Sequence, residues 1–272
     1  MEDFARITAA DVDRTRAAAA LDCVFAEYLV PISFAEPVYA IHVTANDVDA
    51  GSSPIWYDRA GGVVAAALLG VRGARGWIGG FGIVPARRGQ GLGTALLAEI
   101  IERARALAIA SIALEVLVEN APARRTYEGG GFACSRRLVT FTGEATRLLS
   151  RRAEAPYADP ASFIDLPDET APCWQREAAS LRRQTNLHAV GDARAHCVFR
   201  HNGERAQLLK IRASSDEGFA SLCTSVVGQT GVTRLELFNE PEASATAAAA
   251  RALGWSVIHE MDEMVTAVGS EP

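Results

Sequence analysis

Apolar and polar residues alternate along the first half of the chain with two periods, one near two and one near 3.6. The first is typical of strands with one buried face and the second of amphipathic helices. The pattern predicts strands at 4–8, 54–58, 63–71, 77–84, 111–119 and 137–141, with helices at 11–28, 38–48, after 93 and after 120. Asp11 is the predicted cap of the first helix. The apolar face of the long helix consists of Leu96, Leu97, Ile100, Ile101, Ala104 and Leu107.

A similar order of elements recurs after residues 143–172, a stretch that contains four prolines. The predicted elements are a helix at 174–183, strands at 195–200 and 205–213 around an Asn202-Gly203 turn, a helix at 217–228, a strand at 234–238, an alanine-rich helix and a strand at 258–265. A length of 272 residues also suits two domains. We therefore predict domains at 1–145 and 173–272, joined by a linker at 146–172.

A glycine-rich loop joins the strand at 77–84 to the helix after it. Residues 87–94 read RRGQGLGT. Glycine has no Cβ, so the backbone amides of such a loop can approach a ligand closely. The start of the following helix adds partial positive charge, and the two arginines add full charges at the rim. The segment therefore predicts an anion site.

Two common phosphate-binding motifs do not fit this loop. A P-loop needs Gly-Lys followed by Ser or Thr, but the only lysine of the chain is Lys210. A dinucleotide fingerprint counted from Gly89 and Gly91 needs a third glycine where Thr94 stands. On this segment alone, an ordinary tight turn before a helix is the alternative to an anion site.

The arrangement Arg88-x-x-Gly91-x-Gly93 at the head of a helix resembles the pyrophosphate-binding loop of the GNAT superfamily of N-acetyltransferases. A second segment, residues 114–132, resembles the second signature region of the same superfamily. The two signatures start about 25 residues apart, and the resemblance covers roughly residues 4–142. Residues 77–80 together with 173–177 are similar to a bacterial tandem subfamily.

The resemblance implies an α/β fold of the α+β kind, with a mixed, mostly antiparallel sheet flanked by helices, in two tandem copies. It implies an acetyl-coenzyme A dependent N-acetyltransferase that uses no metal and acts on the primary amine of a small molecule or peptide. The alternative is a non-catalytic protein of the same fold that binds or senses acyl-coenzyme A. The identity of the amine and the preferred acyl chain stay open.

The resemblance also assigns the cofactor contacts to one strand end, the glycine loop and the helix after residue 120. These residues are Ile83, Val84, Arg88, Gly89, Gln90, Gly91, Leu92, Gly93, Thr94, Asn120, Ala123 and Tyr127. Backbone amides near Ile83 and Val84 would hold the pantetheine arm and the thioester oxygen. Tyr127 would give its proton to the leaving thiolate.

The catalytic base and the acceptor contacts are less defined. Glu115 and Glu119 lie on the same side of the predicted strand by its period of two, so either could serve as the base, and ordered water is a third possibility. In the superfamily the first two helices wall the acceptor pocket. The residues there that could touch an acceptor, or simply pack, are Tyr28, Phe34, Tyr39, His42 and Asp49.

Three glycines interrupt the strand before the loop, at 79, 80 and 82. Glycine inside a strand weakens it and indicates a bulge or a close approach of another group. A bulge would separate this strand from its neighbour and free its amides. The alternative is that the glycines make room for a large side chain such as Trp77.

The second half lacks the chemical groups of the first. In place of the loop stands Ser-Ser-Asp-Glu at 214–217, whose carboxylates at a helix start would repel a pyrophosphate. In place of Tyr127 stands Thr246 or Ala250, depending on where the count begins. We therefore predict a degenerate half that binds no coenzyme A and packs on the first half as in an intramolecular pseudo-dimer, within a monomer or a homodimer.

Composition and charge limit the remaining possibilities. A net charge of −6 argues against nucleic acid as the main partner. The first residues carry acid where a signal peptide carries base, and no apolar run reaches the ~18 residues of a membrane span. The five cysteines show no CxxC spacing, so we expect buried thiols rather than disulfides, and a cytoplasmic protein.

Overall fold

The computed structural model describes residues 4–147 and 155–269. The chain forms two compact units, one that ends at Ser135 and takes up the chain again from Glu263, and one that consists of Arg136–Asp262. The predicted domain bounds of 1–145, 146–172 and 173–272 do not coincide with these units. The reason is that a pattern read along the chain cannot show that its last residues pack with the first half.

The first unit is a mixed sheet flanked by helices. Its elements are β1 (Ala5–Thr8), α1 (Arg14–Phe25), α2 (Glu36–Ala45), β2 (Pro54–Tyr57), β3 (Val63–Arg72), β4 (Arg75–Ile83), α3 (Leu92–Ala106), β5 (Ser111–Leu117) and α4 (Ala121–Gly129). The strands lie in the order β1-β2-β3-β4-β5, antiparallel except for the parallel pair β4 and β5. The next strand, β6 (Ala133–Glu144), continues into the second unit.

Two apolar clusters fill the first unit, one beneath α3 and α4 and one beneath α1 and α2. Leu96, Leu97 and Ile100 of α3 are fully buried, as the apolar periodicity predicts. Leu107 was expected on the same face but is 41% exposed, because α3 ends at Ala106. The sheet is thus covered on both faces, which fixes the positions of the strand ends that form the site.

The first helix begins later than predicted. Its cap is Asp13, whose Oδ1 accepts a hydrogen bond from the Arg16 amide at 2.8 Å. Asp11, the predicted cap, instead accepts hydrogen bonds from the backbone amide and the hydroxyl of Thr8. The prediction was wrong because two acids lie two residues apart, and only the backbone geometry decides which of them faces the helix.

The second unit also combines strands of mixed direction with flanking helices. Its further elements are β7 (Tyr157–Ala158), α5 (Ala161–Ile164), α6 (Ala178–Leu181), β8 (His188–Gly191), β9 (His196–Asn202), β10 (Arg205–Arg212), α7 (Asp216–Thr230), β11 (Arg234–Pro241), α8 (Ala245–Ala252) and β12 (Ser256–Ala267), the last of which ends in the first unit. The order is β6-β11-β10-β9-β8-β7, antiparallel except for the parallel pair β10 and β11. The predicted fold class, a mostly antiparallel sheet flanked by helices, is confirmed.

Three further local expectations need correction. The predicted helix at 174–183 is a single turn at Trp174–Arg176 followed by the four-residue α6. Within the predicted linker, residues 148–154 lie outside the described residues, while the remainder includes β7 and α5. Of the five cysteines expected to be buried, Cys23 and Cys134 are exposed.

Candidate active site

An open cleft of about 650 Å³ lies in the first unit. The end of α1 forms one wall, and the end of β4, the glycine loop and the start of α4 form the other. The predicted residues that line the cleft are Ile83, Arg88, Gly89, Gly91, Gly93, Thr94, Glu119, Asn120 and Ala123. The unpredicted ones are Val24, Phe25, Glu27, Leu29, Phe81, Gly82, Pro122, Arg125 and Thr126, together with the acceptor candidate Tyr28.

The glycine loop is exposed and leaves the start of α3 uncapped. Gly89 and Gly91 have φ angles of +75° and +79°, a left-handed conformation that favours glycine. Gly91 occupies the cap position of α3 and has no side chain to accept a hydrogen bond. The first amide to bond within the helix is that of Ala95, so the amides of residues 92–94 have no intrahelical acceptor. Gly93 and Thr94 line the cleft, as an anion site at this helix start requires.

β4 carries the predicted bulge. Its register against β3 shifts between Leu68 and Leu69, which leaves Gly79 as the extra residue. The parallel ladder to β5 ends at the pair Ile78 and Leu114, directly before that glycine. The two strands therefore separate from the bulge onward, toward the cleft.

The same glycines also make room for neighbours. A Cβ on Gly79 would lie 2.1 Å from the Trp77 ring, and a Cβ on Gly82 would lie 3.0 Å from Cβ of Val24 on α1. Both distances are shorter than ordinary contacts, so α1 and the indole ring pack directly on the backbone of β4. The sequence left two explanations of these glycines, a bulge and room for a neighbouring side chain. The structure contains both.

Of the two amides expected to hold the pantetheine arm and the thioester oxygen, those of Ile83 and Val84, one is used within the sheet. The Val84 amide donates a hydrogen bond to the Val64 carbonyl at 3.0 Å, so it is not available to a ligand. The carbonyl of Ile83 points the other way, because it accepts a hydrogen bond from Nε of Arg88 at 3.1 Å. In an antiparallel strand the N–H and C=O of one residue face the same edge. The Ile83 amide therefore faces the gap beside β5.

Tyr127 lies in α4 and is buried. Its ring centroid is 5.4 Å from that of Phe81, which lines the cleft, and 6.0 Å from that of Phe132. Burial raises the pKa of the Tyr127 hydroxyl well above its usual value, and the nearby Tyr28 raises it further. The phenol therefore keeps its proton at neutral pH and can act as an acid.

The two candidate bases occupy different surroundings. Glu115 accepts a hydrogen bond from Nε1 of Trp77 at 2.8 Å and does not line the cleft. Glu119 is exposed and does line it. The expected alternation does not reach Glu119, because β5 ends at Leu117.

The residues of the first two helices that could contact an acceptor lie in different surroundings. Tyr28 lines the cleft, and burial raises the pKa of its hydroxyl, while a hydrogen bond from Asn120 opposes that shift. Phe34 and Tyr39 are buried in the apolar cluster. Asp49 accepts a hydrogen bond from the Ser52 amide at 2.7 Å and so has a structural role.

His42 is held beside the bulge. Its Nε2 donates to the Gly79 carbonyl at 3.1 Å, and its ring lies 5.6 Å from Phe34 and 5.7 Å from Trp77. Burial lowers the pKa of His42 from 6.5 to about 4, although the hydrogen bond to Gly79 opposes the shift. The imidazole is thus neutral at physiological pH.

This shift predicts an acid-sensitive stability. Below pH 6.5 the unfolded chain binds a proton that the folded His42 refuses, so acidification favours unfolding until the pH falls through the folded pKa. Between pH 6 and pH 4 we expect the free energy of unfolding of the wild type to decrease as the pH falls. This decrease should be steeper than that of His42→Gln by about 1 kcal/mol per pH unit. Urea titrations across this range measure it. Parallel pH profiles for the two proteins would contradict the assignment.

The second unit contains a similar separation of parallel strands, but an arginine fills it. The register of β10 shifts between Leu208 and Lys210, and its ladder to β11 ends at the pair Leu208 and Leu237. Arg176, which is 6% exposed, donates Nε to the Leu209 carbonyl and Nη1 to the carbonyls of Phe238 and Asn239. Its guanidinium thus bridges the two separated strands.

Arg176 also pairs with the buried carboxylate of Glu240. Burial disfavours the charge of Arg176, but Glu240 beside it keeps the arginine pKa above its ordinary value. The helix start in this unit is capped by its own side chain, because Ser215 accepts a hydrogen bond from the Gly218 amide at 3.1 Å. In the described part of the second unit, the gap between β10 and β11 is thus filled and the start of α7 is capped.

Two further properties concern the described residues alone. Within 4–147 and 155–269, no group of three or more His, Cys, Asp or Glu side chains could hold a metal ion. No helix in these same ranges is both long enough and apolar enough to cross a bilayer.

Comparison with known proteins finds a family match within the first unit and similar folds over the whole chain. The acetyltransferase (GNAT) family profile matches residues 22–132, the segment that contains the cleft. No curated protein matches the chain.

Several solved structures are similar over the whole chain. A GCN5-related N-acetyltransferase from Sphaerobacter thermophilus has a TM-score of 0.70 and 16% identity, with 99% of this chain and 97% of that chain covered. A putative acetyltransferase from Pyrococcus horikoshii has a TM-score of 0.69 and 14% identity, covering 100% and 91%. A tandem GNAT protein from the clavulanic acid biosynthesis pathway has a TM-score of 0.65 and 17% identity, covering 99% and 100%. At these identities the likeness shows the fold alone.

Proposed function

We propose that the chain is an N-acetyltransferase that moves an acetyl group from acetyl-coenzyme A to a primary amine, because residues 22–132 match the acetyltransferase (GNAT) family profile. The main support is the open cleft that runs from the uncapped start of α3 to the Phe81 ring packed on Tyr127. A cofactor with a diphosphate at one end and a thioester at the other fits such a cleft. The acceptor is a small molecule or a peptide.

The amides at the start of α3 are proposed to bind the cofactor diphosphate. Residues Gly89, Gln90, Gly91, Leu92, Gly93 and Thr94 supply backbone donors, and Asn120 and Ala123 border the adjoining part of the cleft. The N-terminus of a helix is a favourable place for an anion, since unpaired N–H groups and the helix dipole both act there. The pantetheine arm would then lie along β4.

The transfer reaction requires alignment, stabilisation of an oxyanion and two proton transfers. The amine nitrogen attacks the thioester carbon, a C–N bond forms and the C–S bond breaks. The Ile83 amide is proposed to stabilise the oxyanion, and Tyr127 to protonate the leaving thiolate. The amine proton passes to Glu119 or to water, because Glu119 lines the cleft, whereas Glu115 is held by Trp77.

A thiol-release assay with a panel of amines tests this function. We expect steady release of free coenzyme A that depends on both acetyl-coenzyme A and an amine. The panel should include a polyamine, an amino-sugar antibiotic, an amino acid derivative and a peptide with a free N-terminus. A protein that binds acetyl-coenzyme A with no thiol release for any amine would instead be the acyl-coenzyme A sensor.

The second unit is proposed to be degenerate and to bind no coenzyme A. Arg176 occupies its strand gap, and Ser215 caps the helix start where the first unit leaves amides unpaired. Asp216 and Glu217 add negative charge at that helix start, which opposes a diphosphate. The role left to this unit is structural.

The conformation of Gly91 gives a direct test of the anion site. With φ at +79°, Gly91→Ala forces a left-handed alanine, which costs about 1–2 kcal/mol, and moves the amides it precedes. We expect the Kd for coenzyme A, measured by calorimetry, to rise about tenfold or more.

Gly61→Ala is the matched control. Gly61 has a φ of +83°, and an added Cβ there meets nothing within 4 Å, as at Gly91. It lies in the turn between β2 and β3, outside the residues that line the cleft. The control should lose a similar amount of stability and keep its affinity. Equal affinities for the Gly91 variant and the wild type would exclude the loop as the diphosphate site.

A further inference from the structure

Arg88 lies in the glycine loop and is exposed, yet its guanidinium donates hydrogen bonds to backbone carbonyls. Nε donates to the Ile83 carbonyl at 3.1 Å, and Nη2 donates to the carbonyls of Val24 at 3.2 Å and Ala26 at 2.9 Å. One side chain thus connects the end of β4 to the end of α1, which are the two walls of the cleft.

The carbonyls at the end of α1 need such a donor. The last carbonyls of a helix have no partner within the helix, and a cation there also interacts favourably with the helix dipole. α1 ends at Phe25, with its cap at Ala26. Arg88 therefore caps α1 from outside the helix, with a forked donor group that can satisfy two carbonyls at once.

The residue after Ala26 explains why this cap affects the cleft. Glu27 has a φ of +59°, a left-handed conformation that is strained for a residue with a side chain. The Ala26 carbonyl that accepts the Arg88 hydrogen bond belongs to the peptide group that leads into Glu27. Arg88 thus holds the strained turn in place from the other wall of the cleft.

The turn in its present form directs Tyr28 into the cleft. The Tyr28 amide donates to the Phe25 carbonyl at 3.0 Å, and the two rings contact each other with centroids 5.2 Å apart. Tyr28 lines the cleft and interacts there with Asn120 and Tyr127, both proposed site residues. The turn at residues 26–28 thus brings a side chain that lines the cleft into interaction with the proposed acid.

We propose that Arg88 is a positioning residue that fixes the turn at residues 26–28 on the acceptor side of the cleft, and that it does not bind the cofactor diphosphate. This inference rests on the proposed function and deepens it. Because Arg88 is part of the glycine loop, it couples the loop that receives the cofactor to the wall that receives the amine.

Hydrogen exchange and coenzyme A binding, measured on the full chain, separate positioning from anion binding. In Arg88→Ala we expect amide exchange within residues 24–29 to become about tenfold faster or more, because the turn loses its support. The Kd for coenzyme A should stay within about threefold of the wild type. A tenfold weaker Kd with unchanged exchange at 24–29 would show an anion contact and overturn the proposal.

Arg125→Ala is the charge-matched control, since Arg125 is exposed and lines the same cleft. It removes one positive charge and should leave exchange at residues 24–29 unchanged. Faster exchange there in both variants would mean a general charge effect and would also overturn the proposal.

Kinetics with the fastest amine of the four-compound panel give the second readout. Arg88→Ala should raise the KM for that amine about tenfold and leave the KM for acetyl-coenzyme A within about threefold. Arg88→Lys keeps the charge but loses the forked geometry. Its KM for the amine should therefore also be higher than that of the wild type. Full rescue by lysine would overturn the positioning role. If the wild type acetylates no amine, the transfer function fails, while the exchange measurement still decides the role of Arg88.

Discussion

Tyr127→Phe is expected to lower turnover by about 10²- to 10⁴-fold, the range typical of general acid catalysis. The variant removes one hydroxyl and keeps the ring that packs between Phe81 and Phe132. Binding of coenzyme A should therefore change by no more than about threefold. Because burial raises the pKa of Tyr127 far above neutrality, the wild type should show no loss of turnover from this group up to pH 10.

The control for this variant is Tyr57→Phe. Tyr57 ends β2 and does not line the cleft. Its loss of a hydroxyl should leave turnover unchanged. Steady-state kinetics at saturating acetyl-coenzyme A make the comparison. A Tyr127→Phe enzyme with wild-type turnover would remove Tyr127 from the mechanism and leave the thiolate to be protonated by solvent.

Arg176→Met is expected to destabilise the protein by about 3–5 kcal/mol, the usual cost of leaving one partner of a buried ion pair alone. Glu240 would keep its charge in a site where it is 4% exposed, and the carbonyls of Leu209, Phe238 and Asn239 would lose their donor. Replacing both partners, as in Arg176→Met with Glu240→Met, should recover much of the loss. Urea denaturation measures all three proteins.

Arg182→Met is the matched control for Arg176. Arg182 pairs with Asp165 on the surface, where both side chains are more than half exposed. An exposed ion pair of this kind contributes about 0–1 kcal/mol. If the Arg176 and Arg182 variants lost the same small amount of stability, the bridge between β10 and β11 would not hold the second unit together.

Local patterns in the sequence predict the parts of the site that depend on neighbours along the chain. The glycine loop, the α3 face with Leu96 and Ile100, and the bulge at Gly79 all follow from residue spacing and from the properties of glycine. These features lie within single elements or at their ends. Sequence patterns are most informative at this range, because period and turn chemistry act over a few residues.

Features that depend on register or on distant contacts do not follow from the sequence. Whether the amide of Ile83 or of Val84 faces the gap is decided by the pairing of β4 with β3, since a shift of one residue reverses the direction. The role of Arg88 depends on carbonyls more than sixty residues earlier in the chain. Arg176 likewise contacts carbonyls on two strands that only the folded chain brings together.

The most direct measurement is a calorimetric titration of the full chain with acetyl-coenzyme A, in the wild type and in Gly91→Ala. We expect one binding site per chain, with affinity at least about tenfold weaker in the variant, since the diphosphate is proposed to contact the amides after Gly91 in the first unit alone. A stoichiometry of two acetyl-coenzyme A molecules per chain would contradict the proposal that the second unit binds no coenzyme A. The absence of binding heat at any temperature tested would contradict the cofactor site itself.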